Sequence, residues 1–102
     1  MGLKHLQKCK KFFLFGKKQV KATLFTTSGC HLCEEANSQL KKLLKLGKID
    51  FIEEVEIANS DKLMKKYGAS IPVIKICEHE LYWPFELRDL ETWVKRLEVS
   101  DG

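Results

Sequence analysis

Val20-Lys21-Ala22-Thr23-Leu24-Phe25-Thr26, followed by Thr27-Ser28-Gly29 and then by Cys30-His31-Leu32-Cys33, is the stretch that decides the fold. Residues 20–26 are rich in β-branched and apolar side chains, with Leu24 and Phe25 central, which predicts a strand. Thr27-Ser28-Gly29 is turn chemistry. From about His31 to Leu46 the apolar residues Cys33, Ala36, Leu40, Leu43 and Leu44 recur at helical spacing. Glu34 and Glu35 in the first turn, and Lys41, Lys42 and Lys45 near the end, suit the helix dipole. Gly47 is a natural stop. A strand thus runs through a short turn into a helix, with two cysteines at the helix mouth.

Downstream, residues 49–57 alternate imperfectly and predict a second strand, with Phe51, Val55 and Ile57 facing inward. Asn59 or Ser60 is placed to cap a short helix reaching Tyr67, which Gly68 ends. Residues 71–77 predict a third strand opening at Pro72, where a missing backbone donor is tolerated. Glu78-His79 predicts a tight turn, residues 80–83 a fourth strand, and Pro84 its end. A last helix is expected over about 87–97, with Leu87, Leu90, Trp93, Val94 and Leu97 on one face. The order is β-α-β-α-β-β-α. A strand–helix–strand start implies parallel pairing, and the later tight turn implies an antiparallel hairpin. A four-stranded mixed sheet flanked by helices, an α/β fold, satisfies both.

The position of Cys30-His31-Leu32-Cys33 points to redox chemistry. Unpaired backbone N–H groups and the positive end of the dipole favour an anion at a helix mouth, and a thiolate is one. Cys30 is therefore assigned as nucleophile. Cys33, one turn later on the same face, is assigned as the resolving thiol that attacks a mixed disulfide at Cys30. His31 stands where it can add charge or a hydrogen bond beside the thiolate, and Leu32 where it can pack or meet substrate. The plain alternative is a pair of helix-face cysteines that merely pack. Two cysteines cannot fill a four-ligand zinc site, and no second Cys-X-X-Cys or His-X-X-X-His follows, so no metal is assigned.

The chain has 102 residues, enough for one domain, and a net charge of +4 that is unevenly spread. Seven lysines lie within residues 1–21, whereas every acidic residue lies at Glu34 or beyond. Residues 1–18 read as a basic N-terminal arm and 19–99 as the domain. Leu3, Leu6, Phe13 and Leu14 suggest one side of a short helix in the arm. A solvated or sheet-docked arm is favoured over one that binds nucleic acid or lipid. No apolar run near the N-terminus approaches a spanning length or a signal-peptide core, and Leu6 replaces the Ser or Thr of a myristoylation start. A cytoplasmic, monomeric protein with no nucleic-acid partner is the expectation. Cys77 is expected to pack and Cys9 to be an idle exposed thiol.

Three segments resemble a glutaredoxin-like family of the thioredoxin-fold superfamily. Thr26 through Ala36 is similar to its redox motif, and Tyr67-Gly68-Ala69-Ser70-Ile71-Pro72-Val73-Ile74 to its cis-proline segment. Trp83-Pro84-Phe85 before a helix is similar to its C-terminal signature. The resemblance covers about residues 20–98 and implies a thioredoxin-like fold and a disulfide reductase. It also implies a cis bond at Pro72 beside the cysteines, with the backbone of Ile71 offered to substrate. Neither a bound cofactor nor a metal is implied; glutathione enters as a co-substrate to be tested.

Several positions depart from the relatives' patterns. Gly29 stands where thioredoxins carry Trp, and Leu24 where they carry a buried Asp. His31-Leu32 replaces the Pro-Tyr or similar pair of glutaredoxins, Thr27 their Lys, and Trp83-Pro84-Phe85 their Gly-Gly turn. A protein disulfide or another low-molecular-weight thiol thus stands beside glutathione as partner, with the thiol reductant unspecified. The competing role is an adaptor whose thiols are not turned over. A weaker third is a cluster held across a dimer through Cys30.

Overall fold

Strong β-formers at residues 21–26 and 73–76 make the centre of a four-stranded sheet, because each strand is apolar on both sides. The computed structural model describes residues 12–14 and 17–101. Its elements are strands β1 (Phe12–Leu14), β2 (Lys17–Gln19) and β3 (Lys21–Thr26), then helix α1 (His31–Lys45) and strand β4 (Phe51–Glu56). A 3-10 turn (Ile57–Asn59), helix α2 (Asp61–Tyr67), strands β5 (Val73–Ile76) and β6 (His79–Tyr82) and helix α3 (Leu87–Asp101) follow. The main sheet has the order β4-β3-β5-β6. β3 and β4 are parallel, with Phe25 opposite Val55 and Thr26 opposite Glu56. β3 and β5 are antiparallel, with Phe25 opposite Val73, and β5 and β6 form the hairpin.

Strand alternation sorts the core into two layers. Ala22 and Leu24 of β3 and Ile74 and Ile76 of β5 face α1 and α3, meeting Ala36, Leu40, Leu43, Leu90, Val94 and Leu97. Phe25 and Val73 face the other way, onto Ile57 and Tyr67. Phe25 and Tyr67 stack with ring centroids 4.2 Å apart. Trp83 and Trp93 are half-buried against the larger cluster, and Phe85 is buried within it. Gln39 Nε2 donates to the Phe85 carbonyl at 3.2 Å and ties α1 to the segment before α3.

Four expectations are corrected. Phe51 is 44% exposed, because β4 is an edge strand; Ile52 packs on the larger cluster instead. Leu44 is 40% exposed, since the buried stripe of α1 runs through Cys33, Ala36, Leu40 and Leu43 and leaves Leu44 on its flank. The β5–β6 turn is Cys77-Glu78, with His79 already paired to Ile76. Cys77 takes a positive φ of 59° there, packs against the core, and is not a free thiol. In the arm, residues 12–14 pair with 17–19 as an antiparallel hairpin, so Phe13 and Leu14 lie in a strand and not a helix. Phe12-Phe13-Leu14 is a β-favouring run. Leu3, Leu6 and Cys9 lie outside the described residues.

Two features beside the sheet differ in chemistry. Tyr67 and Tyr82 both donate their hydroxyls to Glu80, the latter at 2.7 Å, and Lys66 Nζ lies 3.7 Å from the same carboxylate. Burial pushes the Tyr67 hydroxyl up to about 12, with the Glu80 hydrogen bond adding to it. This group braces α2 against the edge strand β6. The other feature, at the C-terminal end of β3, is the cysteine turn.

Candidate active site at the mouth of helix α1

Thr27-Ser28-Gly29 brings the chain from β3 into α1. The Cys30 N–H donates to the Thr27 carbonyl at 3.2 Å, closing the turn, and Gly29 takes a φ of +81°. That value is in the left-handed region, where a side chain is strained. Glu56, at the end of β4, fastens the turn from the side. Its Oε1 accepts from the Ser28 N–H and its Oε2 from the Ala58 N–H, both at 3.0 Å. A hydrogen bond from the Thr27 side chain, followed by those from Ala58 and Ser28, holds the Glu56 carboxyl below its ordinary range.

Cys30 is the N-cap of α1, with φ −87° and ψ 104°. Its sulfur occupies the place usually taken by a Ser or Asp oxygen and accepts the Cys33 N–H at 3.2 Å. The two cysteines are joined as a disulfide with Cα atoms 5.2 Å apart. They are unequally placed: Cys30 is half-buried, whereas Cys33 is buried, at 2% exposed. A helix N-terminus aims backbone N–H groups and partial positive charge at the outer sulfur, and burial withholds the inner one.

The remaining predicted residues are placed as follows. His31 is exposed, with Nε2 3.8 Å from Glu35 Oε2 one turn along. No hydrogen bond joins it to Cys30 among the described residues. Leu32 is 41% exposed beside the disulfide. The Ile71–Pro72 bond is cis, as the resemblance implies, and Pro72 is buried. The Phe25–Val73 pairing sets Pro72 level with Thr26, at the sheet end that carries the cysteine turn. The Ile71 N–H donates to the Tyr67 carbonyl at 3.1 Å. The Pro72 carbonyl accepts from Trp83 at 3.3 Å, and Trp83–Pro84 is a second cis bond.

A groove of about 310 Å³ opens beside the disulfide, between β4 and the first turns of α1. Thr26, Cys30, Cys33, Asn37, Glu54 and Glu56 are among its lining residues. The reading of the cysteine motif did not include Asn37, Glu54 or Glu56. The signal present was the spacing of Glu54 and Glu56, two residues apart on a strand. It becomes a site only once β4 is known to lie beside β3. No group of three or more His, Cys, Asp or Glu residues suited to a metal occurs among the described residues. No helix there is long and apolar enough to cross a membrane.

Comparison with known proteins agrees with this geometry. Residues 21–95 match the glutaredoxin-like domain (DUF836) family. An X-ray structure of a structural-genomics target from X. campestris is 30% identical, with a TM-score of 0.64 over 74% of this chain and 96% of its own. Protein Ne2328 from Nitrosomonas europaea is 24% identical, with a TM-score of 0.64 over 76% of this chain and 93% of its own. Thioredoxin 1 from Thermosipho africanus, 18% identical, shares the fold with a TM-score of 0.60 over 80% of this chain and 99% of its own. No curated protein gives a significant match. The matched span and the 30% identical structure together place this chain in the glutaredoxin-like (DUF836) family of the thioredoxin fold.

Proposed function

We propose that the protein is a thiol–disulfide oxidoreductase that reduces disulfides or mixed disulfides through Cys30 and Cys33. The observation that carries this reading is the Cys33 N–H directed at Cys30 Sγ at 3.2 Å, with Cys33 itself buried. An N–H donor at a helix mouth stabilises the charged sulfur over the neutral one, and the thiolate is the attacking species.

Both cysteines start reduced. The Cys30 thiolate attacks one sulfur of the substrate disulfide, forming a mixed disulfide as the substrate S–S bond breaks. The departing sulfur leaves as a thiolate and takes a proton from water. Cys33 then loses its proton and attacks Cys30 Sγ, and the second substrate sulfur departs and is protonated. Two electrons have passed from the protein dithiol to the substrate, leaving the Cys30–Cys33 disulfide seen in the structure. An external thiol restores the dithiol by the reverse exchange. The Ile71 carbonyl, level with the cysteine turn, is the group assigned to hold an extended substrate strand.

Single-residue variants test the roles. Cys30→Ser is expected to lower reduction of hydroxyethyl disulfide and of a protein disulfide to the uncatalysed rate. Cys33→Ser is expected to accumulate a mixed disulfide with the protein substrate, visible as an adduct by mass spectrometry without reductant. Full turnover by Cys30→Ser contradicts the assignment.

A further inference from the structure

The groove beside the disulfide is acidic. None of its lining residues is Lys, Arg or His, whereas Glu34, Glu54 and Glu56 all line it. Glu56 stays charged, because its hydrogen bonds hold its pKa down. Glu34 and Glu54 are exposed and form no ion pair among the described residues. Asn37 also lines the groove, and its Oδ1 is buried with no hydrogen-bond partner. An unpaired buried acceptor is costly, and a ligand that brings a donor relieves the cost. Two backbone donors along the groove are already used: Ser28 N–H by Glu56 and Cys33 N–H by Cys30 Sγ. An incoming group that satisfies this groove therefore carries N–H donors and positive charge.

We propose that the groove selects disulfides flanked by lysine or arginine, with Glu34 and Glu54 supplying the attraction and Asn37 the hydrogen-bond acceptor. This deepens the oxidoreductase reading and rests on it. A cationic side chain next to the substrate cysteine enters between β4 and α1 while the disulfide meets Cys30. Glutathione, with a net negative charge, is disfavoured by the same field. Charges at this exposure act over about a Debye length, roughly 8–10 Å at physiological salt, so the preference is electrostatic and salt-sensitive.

Pre-reduced protein is mixed in single turnover with two disulfide peptides, identical except that lysines or glutamates flank the cysteines. Hydroxyethyl disulfide serves as a neutral third substrate. Each rate is divided by that of dithiothreitol on the same substrate, which removes intrinsic reactivity. At low salt the lysine peptide is expected to react about tenfold faster than the glutamate peptide, a ratio that shrinks as salt rises. The double variant Glu34→Gln, Glu54→Gln is expected to lower the ratio several-fold. Glu78→Gln, which removes a carboxylate in the β5–β6 turn and not in the groove, is expected to leave it in place. Equal rates for the two peptides, a faster glutamate peptide, or a ratio unmoved by the double variant overturns the inference while hydroxyethyl disulfide is still reduced. Failure to reduce any of the three substrates overturns the oxidoreductase reading, and this inference with it.

Discussion

Cys30 does two jobs with one side chain. It caps α1, because its sulfur accepts the Cys33 N–H, and it is the more accessible member of the pair. Gly29 makes this possible by turning the chain with a φ of +81°. A Cβ at Gly29 would meet nothing within 4 Å, so the demand for glycine is one of backbone conformation alone. Gly29→Ala is therefore expected to destabilise the oxidised protein by roughly 1–2 kcal/mol, the strain of the left-handed region. The shift in the urea midpoint measures it, and an unchanged midpoint means the turn relaxes freely. The place of Cys30 at the helix mouth was legible in the sequence, because a turn precedes a helical stripe. Asn37 was not: it lies between buried Ala36 and exposed Ser38, and nothing local says which side of α1 meets a groove.

Among the elements, α2 and β6 are held together by the Tyr67–Glu80–Tyr82 group. The Tyr67 hydroxyl holds the Glu80 carboxyl below its ordinary value of 4.5, with Tyr82, Lys66 and Lys75 helping and burial opposing. A depressed folded pKa contributes stability above the unfolded value that is lost as pH falls through the folded one. Tyr67, raised from 10.0 to about 12, contributes stability that is complete below 10.0 and is lost as pH rises through about 12. Glu80→Gln is expected to be less stable near neutrality and to lose less than wild type between about pH 5 and pH 3. Urea midpoints across that range check this; parallel curves for the two proteins contradict it. Element order could be read from residues alone, because Gly47, Ser60, Gly68 and Pro84 punctuate strong periodic runs. The inward placement of Phe51 failed, since exposure on β4 depends on its being an edge strand, which strand order decides and local pattern does not.

At the scale of the whole molecule, the sheet brings three distant segments to one end. The cysteine turn follows β3, Pro72 precedes β5, and Glu54 and Glu56 close β4. The first two were legible as motifs. The acidic groove emerges only from the parallel pairing that sets Glu54 against Leu24 and Glu56 against Thr26. Its carboxylates oppose a thiolate at Cys30, while the helix mouth and the Cys33 N–H favour one. The donor in direct contact outweighs charges screened by solvent. The most direct test of the central claim is the pH dependence of iodoacetamide alkylation of the reduced protein, with each cysteine followed by mass spectrometry. Cys30 is expected to react with a midpoint clearly below the roughly 8.5 of a free cysteine, and Cys33 far more slowly. A Cys30 midpoint at or above that value, or equal rates for the two cysteines, would contradict the account.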